Sequence, residues 1–135
     1  MNPILRVKII TPKSILFDEE ALMVTLPGTA GELGVLPGHA LLIVELKEGV
    51  VQISIGNNDI KLYSNKSNDP QPESINSSTS SILKFFIYPA IAEITNTSVN
   101  ILTEFASNVT SVSLTELPTK IELFKKMLEQ GIEPH

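Results

Sequence analysis

Two side chains that could exchange protons, Glu32 and His39, lie within one ten-residue run, GELGVLPGHA, at residues 31–40. A carboxylate beside an imidazole could act as an acid–base pair or supply two ligands of a metal site. Catalysis would also need a nucleophile and an orienting partner, and zinc would need three or four clustered ligands. The chain has only two histidines and no cysteine. We therefore expect no catalytic, cofactor or metal site.

The glycines and the proline of the same run predict how its side chains are held. Glycine adopts backbone angles that other residues resist, whereas proline fixes one angle and removes a hydrogen-bond donor. We expect two tight turns around the short apolar piece Leu33–Leu36. These turns would hold Glu32 and His39 on loops, close together at one end of the fold.

The composition excludes several classes of partner. The net charge is −5 and the isoelectric point is about 5.0. Nucleic acids and anionic lipid surfaces both require a basic face, so neither is an expected ligand. No segment approaches the roughly 20 apolar residues that span a bilayer, so we expect no direct membrane insertion. Residues 1–13 lack the pattern of a signal or transit peptide, which favours an intracellular protein that reaches a membrane only through a partner.

Short apolar runs separated by turn residues fill the chain up to about Ala106. Many short strands at this spacing predict a β-sandwich or barrel. Pro89 falls inside one run, where a break, a bulge or an edge position is expected. A hairpin turn is predicted at 56–59. The predicted strands are Arg6–Ile10, Ser14–Phe17, Ala21–Leu26, Ala40–Glu45, Val50–Ile55, Ile60–Tyr63, Ile82–Ile94 and Val99–Glu104.

Two further segments complete the predicted organisation. Residues 64–81 are dominated by small polar residues and predict a flexible insertion loop within a sandwich domain of residues 1–107. Residues 108–135 would form a linker and one short helix. The helix is predicted from a capping box at Thr119–Glu122 and a stop at Gly131 and Pro134. Its apolar face would carry Leu117, Ile121, Phe124 and Leu128.

Several segments, taken in order, resemble one known family. They are Ile10–Lys13 with Phe17, Thr25–Ala40, Lys47–Val51, Lys84–Tyr88 and Asn100–Ala106. Together they cover most of residues 4–107. The chain resembles the epsilon subunit of the rotary F-type ATP synthase, which is equivalent to the mitochondrial delta subunit. The densest match is the Gly-Glu-Leu-Gly…Pro-Gly-His segment.

The resemblance implies a two-layer antiparallel β-sandwich followed by one short C-terminal α-helix. It implies a non-catalytic central-stalk subunit that links the gamma subunit to the polar loops of the membrane c-ring and couples proton flow to ATP synthesis. The alpha and beta catalytic subunits are further candidate partners. By resemblance, Gly31, Glu32, Pro37, Gly38 and His39 face the c-ring. The implied location is the cytoplasmic face of a bacterial inner membrane, reached through the complex.

The chain departs from the family at the 64–81 insertion, at Pro89–Ile91 and in having one C-terminal helix where members often have a helical hairpin. No arginine follows Arg6, so the family's Asp-x-x-Arg pattern for ATP binding is absent. We therefore expect neither inhibition by an extended hairpin nor nucleotide sensing. Two alternatives stay open at this point. One is a generic β-sandwich module for a peptide or a sugar, and the other is a small hydrolase that uses Glu32 and His39.

Overall fold

The computed structural model describes residues 3–56 and 81–131, which form ten strands and one C-terminal helix. The predicted architecture, a mainly β two-layer sandwich followed by one short helix, is confirmed. The elements are β1 (Leu5–Ile10), β2 (Ile15–Ala21), β3 (Met23–Gly28), β4 (Gly31–Val35), β5 (Leu42–Leu46), β6 (Gly49–Ile55), β7 (Ser81–Ile87), β8 (Ala90–Ile94), β9 (Ser98–Thr103), β10 (Ala106–Asn108) and α1 (Leu117–Glu129).

Hydrogen bonds join the strands in the order β10-β7-β6-β3-β5-β8-β9-β1-β2, and β4 pairs with β3. The two layers meet at β3. Strand β6 pairs with Met23–Thr25, whereas β5 reaches β3 only where Leu46 lies opposite Gly28. The pairs between described strands are antiparallel except β1 with β9, which run parallel.

The core lies between the two layers. Side chains alternate along a strand, so each strand contributes every second residue to this space. The rings of Phe17 on β2 and Phe85 on β7 face each other across it, with centroids 5.3 Å apart. The largest fully buried members of this core are Leu5, Val7, Ile9, Val24, Leu26, Val35, Leu46, Ile53, Ile87, Ile94 and Ile101.

Two strand predictions can be compared with the structure. The break expected at Pro89 is confirmed, because β7 ends at Ile87 and β8 begins at Ala90. The prediction that Ser81 belongs to the insertion loop is wrong, since Ser81 begins β7 opposite Ile55. The predicted hairpin turn beyond residue 56, the predicted strand at 60–63 and the predicted loop at 64–80 lie outside the described residues.

Helix α1 begins at Leu117, so the capping box predicted at Thr119–Glu122 is wrong. Glu116 is the N-cap residue and makes no side-chain cap bond. Pro118 lies in the first turn, where its fixed φ suits a helix and its missing N–H breaks no bond. The hydroxyl that bonds to the backbone here is not Thr119 but Ser113, whose Oγ accepts from the Glu116 N–H over 3.3 Å. The stop at Gly131 is confirmed by a φ of +79° and a bond from its N–H to the Leu128 carbonyl.

The predicted apolar face of α1 is confirmed and packs on the outer face of β7. Phe124 is buried, and its ring stacks on Phe86 with centroids 5.9 Å apart. A charged contact adds to this apolar one, since Lys125 Nζ lies 2.7 Å from Glu48 Oε2 in the β5–β6 connection. The helix therefore covers part of the sandwich. The division of the chain after residue 107 stays a prediction, although β10 continues one residue past it.

Candidate functional site

The connection between β3 and β4 places Glu32 at the surface. Only Thr29 and Ala30 lie between the strands, and Gly28 is paired with Gly31. A Cβ atom on Gly28 would come within 2.7 Å of the Gly31 carbonyl oxygen, and Gly31 has a φ of +130°. Both positions therefore require glycine for steric reasons. Glu32 follows directly and is exposed.

The sequence predicted a loop position for Glu32, and this is wrong, because the structure places Glu32 in strand β4. It lies opposite Pro27 in the ladder with β3. The two-residue turn is so tight that pairing resumes at Gly31, and the ladder continues to Val35. The strand therefore holds the Glu32 backbone, while its side chain points away from the core.

The second predicted turn is present at residues 36–39. The His39 N–H donates to the Leu36 carbonyl over 3.2 Å, and Gly38 has a φ of +92°. The Gly38 N–H donates to the Asn96 carbonyl over 2.8 Å. The turn is thus attached to the β8–β9 connection, which restricts the position of His39.

The His39 ring is half-buried and bonded to its own backbone. Its Nδ1 lies 2.7 Å from the Ala40 carbonyl oxygen. A carbonyl can only accept, so Nδ1 carries a proton and Nε2 is the acceptor of the neutral ring. That leaves Nε2 as the atom with which His39 can contact a partner.

The structure separates Glu32 from His39, so the prediction that they lie close together is wrong. From Glu32 to Val35 are three strand steps, about 10 Å at 3.3 Å each, and the turn with His39 lies beyond Val35. The two side chains flank opposite ends of β4. They cannot act as an acid–base pair in this arrangement. Within residues 3–56 and 81–131, no group of three or more histidine or acidic side chains could hold a metal ion.

A second surface feature was not predicted from the sequence. A groove of about 630 Å³ opens where β1, β5 and β9 end and β8 begins. Ile91 and Leu102 line it and are about half exposed. The alternation in β8 carried a signal for it, because Ile91 falls on the opposite face from the buried Ala90 and Ala92. Among the helices that the structure describes, none is long and apolar enough to cross a membrane.

Comparisons with known proteins agree with this architecture. The family model described as "ATP synthase, Delta/Epsilon chain, beta-sandwich domain" matches residues 4–64. An ATP synthase epsilon chain of Rickettsia felis is 41% identical over 131 residues, which are 96% of this chain and 99% of that protein. One from Rickettsia bellii is 36% identical over 128 residues, 95% of this chain and all of that protein.

Solved structures share the fold. A chain of the Euglena gracilis mitochondrial ATP synthase (OSCP/F1/c-ring) superposes with a TM-score of 0.63 and 15% identity, over 93% of this chain and 66% of that one. A chain of the Tetrahymena thermophila mitochondrial ATP synthase superposes with a TM-score of 0.50 and 10% sequence identity. The match covers 82% of this chain and 70% of that one. The fold is thus shared with proteins of low sequence identity. The Rickettsia proteins, in contrast, are more than one third identical to this chain along nearly its whole length. On that basis this chain belongs to the epsilon-chain family of ATP synthase.

Proposed function

We propose that this chain is a non-catalytic central-stalk subunit that links the gamma subunit to the c-ring and couples proton flow to ATP synthesis. The observation that carries the proposal is the epsilon-family identity along nearly the entire chain. The Tetrahymena chain with the same fold comes from the central stalk and c-ring of a mitochondrial ATP synthase. The subunit would sit peripherally at the cytoplasmic face of the bacterial inner membrane, with the alpha and beta subunits as further candidate partners.

The packing supports a mechanical role. The two layers enclose a continuous apolar core, and close-packed interiors resist deformation. Helix α1 is fixed to the same body by the Phe124 contacts and by the Lys125–Glu48 ion pair. A rigid body of this kind can transmit torque between two partners without chemistry of its own. The purified chain should accordingly show no ATPase or esterase activity, with or without added divalent metal ions.

We propose further that the two ends of β4 face the polar loops of the c-ring. Gly31 and Glu32 would contribute one contact, and Pro37, Gly38 and His39 the other. Strand β4 pairs only with β3 among the described strands, so one of its edges is free. A single partner surface laid along this edge would reach both ends at once. This explains how residues at opposite ends of a strand could serve one interface.

The double variant Glu32→Ala/His39→Ala tests the c-ring contact. In membranes that carry the assembled synthase, we expect weaker ATP-driven proton pumping at unchanged ATP hydrolysis. Thermal unfolding of the isolated variant should match wild type, since exposed substitutions usually change stability by about 0.5 kcal/mol or less. The matched control is Glu19→Ala/Glu20→Ala on the exposed part of β2, which should pump normally. Unchanged pumping in the Glu32/His39 variant would remove these residues from the interface.

A further inference from the structure

The connection between β4 and β5 carries one of the two proposed c-ring contacts and is bonded to another part of the sandwich. Within it, Gly38 has a φ of +92°, and a Cβ atom there would meet no atom of the described residues within 4 Å. Glycine is therefore needed for its backbone conformation and not for space. In this conformation the Gly38 N–H donates to the Asn96 carbonyl over 2.8 Å.

The Asn96 carbonyl belongs to the β8–β9 turn, which the Thr95 hydroxyl shapes. Thr95 Oγ1 accepts from the N–H groups of Thr97 over 3.2 Å and of Ser98 over 3.0 Å, and lies 2.8 Å from the Ser98 Oγ. The Thr95 N–H donates to the Ser98 carbonyl over 2.9 Å and closes the turn. Threonine hydroxyls stabilise turns in this way, by bonding to backbone groups a few residues ahead.

A single peptide unit connects Thr95 to Gly38. The Thr97 N–H and the Asn96 carbonyl belong to the same planar unit, and in a trans peptide these two groups point in opposite directions. The bond from this N–H to Thr95 Oγ1 on one side therefore sets the direction of the carbonyl on the other side. Without the hydroxyl, the unit could rotate and its carbonyl would leave the Gly38 N–H.

The same turn is anchored on the core. The Arg6 N–H donates to the Thr97 carbonyl over 2.8 Å, and the preceding residue, Leu5, is fully buried. Backbone hydrogen bonds thus lead from β1 through the β8–β9 turn to Gly38, which directly precedes His39. The position of His39 relative to the sandwich depends on this path.

We infer that Thr95 is a positioning residue for the proposed c-ring contact of residues 37–39. It acts through the peptide unit of Asn96 and through Gly38, and thereby sets where His39 meets the ring. The inference rests on the proposed function for the identity of the partner, and adds a residue outside the contact that holds it in place.

Hydrogen exchange of the Gly38 amide, followed by NMR on the full chain, tests the hydrogen-bond path without a partner. Thr95→Val deletes the hydroxyl and should raise the Gly38 exchange rate about fivefold or more, as loss of an ordinary hydrogen bond would. Thr95→Ser keeps the hydroxyl and should exchange like wild type. If the valine variant does not fold, Thr95→Ala makes the same deletion with a smaller side chain. Unchanged Gly38 exchange in the folded deletion variant would overturn the inference.

The β1–β2 connection supplies a matched control, because it contains the same kind of turn. Thr11 Oγ1 accepts from the Ser14 N–H over 3.3 Å, and the Thr11 N–H donates to the Ser14 carbonyl over 2.9 Å. This turn follows β1, whereas Arg6 and the β8–β9 turn lie near the start of that strand. Thr11→Val should therefore leave Gly38 exchange unchanged. Equal acceleration in the Thr11 and Thr95 variants would contradict the inference, because general loss of stability would explain it.

ATP-driven proton pumping in membranes that carry the assembled synthase tests whether the positioning matters for coupling. Thr95→Val should pump fewer protons per ATP hydrolysed than wild type, and Thr95→Ser should restore pumping. In a His39→Ala background, Thr95→Val should cause little further loss, because residues that act through one another are not additive. A loss of full size in both backgrounds would show that Thr95 does not act through His39.

The outcomes separate this inference from the proposed function. Faster Gly38 exchange in Thr95→Val with normal pumping would overturn the positioning role and leave the stalk function intact. Normal pumping by His39→Ala would instead remove the proposed c-ring contact of this turn, and the positioning role with it.

Discussion

The outer faces of the two layers both carry large apolar side chains, and helix α1 covers part of one of them. On the first layer, Phe86 of β7 is fully buried because α1 packs over it. We call this the covered face. On the second layer, Ile91 and Leu102 are about half exposed, and we call this the open face. The comparison teaches that a large apolar side chain on the outer side of a strand is buried only where another element of the chain packs over it.

The covered face shows what such a cover consists of. The Phe124 ring stacks on Phe86 and lies 5.3 Å from the Phe105 ring, while Tyr88 meets Phe105 edge to face at 5.9 Å. A 13-residue helix is marginal in water by itself, so this packing is what keeps α1 folded. Apolar ring contacts form the centre of this cover, and the Lys125–Glu48 ion pair lies beside them.

The largest expected effect comes from removing the centre of the cover. Phe124→Ala should lower the free energy of unfolding by about 3 kcal/mol, because it deletes a buried ring and leaves a cavity. Chemical denaturation followed by circular dichroism measures this. Leu123→Ala is the matched control, since Leu123 is the neighbouring helix residue and is 50% exposed. Similar losses in both variants would show that α1 matters through helix propensity and not through its cover.

The Thr103 hydroxyl on β9 bonds to the backbone beside the covered face, and its removal should lower the free energy of unfolding by an intermediate amount. Its buried hydroxyl lies 3.0 Å from the Tyr88 carbonyl oxygen and 3.2 Å from that of Phe105. Thr103→Val keeps the shape but removes the donor, so we expect a loss of about 1–2 kcal/mol in the free energy of unfolding. Thr103→Ser keeps the hydroxyl and should recover the hydrogen-bond part of the loss. A valine variant as stable as wild type would mean that these carbonyls find other donors.

The open face should tolerate polar substitutions in the isolated chain. Ile91→Ser/Leu102→Ser should change the free energy of unfolding by about 1 kcal/mol or less, because half-exposed side chains contribute little burial. Phe86→Ser, at the equivalent place on the covered face, should be far more damaging. Denaturant titration of both variants makes the comparison. An equally large loss on the open face would show that Ile91 and Leu102 contribute to the core.

Alkaline pH should weaken the covered face slightly. Burial, and then the nearby Glu48 carboxylate, raise the pKa of Tyr88 above its ordinary value of 10.0. The hydrogen bond and charge of Glu48 raise the pKa of Lys125 above 10.5. In both cases folding favours the protonated form. The stability that these two groups contribute is fully present below their ordinary pKa values. It is lost as the pH rises through their raised pKa values in the folded protein.

The measurement is urea unfolding of wild type and Tyr88→Phe between about pH 8 and pH 11. Above the ordinary tyrosine pKa of 10.0, the free energy of unfolding should fall more steeply with pH for wild type than for Tyr88→Phe. Parallel curves for the two proteins would show that ionisation of Tyr88 does not oppose docking of the helix.

Local patterns predicted the strands well where one face is buried. Alternation identified β1, β3 and β6, and Pro89 gave the break between β7 and β8. Prediction failed where the conformation of a segment depends on the strand with which it pairs. The turn glycines suggested a loop for Glu32, but the ladder with β3 resumes at Gly31 and places it in a strand. The predicted start of α1 was wrong because the helix begins at Leu117, after a turn in which Ser113 and not Thr119 bonds to the backbone.

The sequence by itself determined that this is a β-sandwich or barrel with one amphipathic helix, because side-chain period and turn residues act over a few neighbouring positions. It also identified the family through the ordered motifs. Only the tertiary structure decided that Glu32 and His39 lie at opposite ends of β4, and that Glu45, Ile91, Leu102 and Ile10 form one row. The physical reason is strand register. Residues far apart in the chain become neighbours through backbone hydrogen bonds between strands, and no local pattern specifies which strands those are.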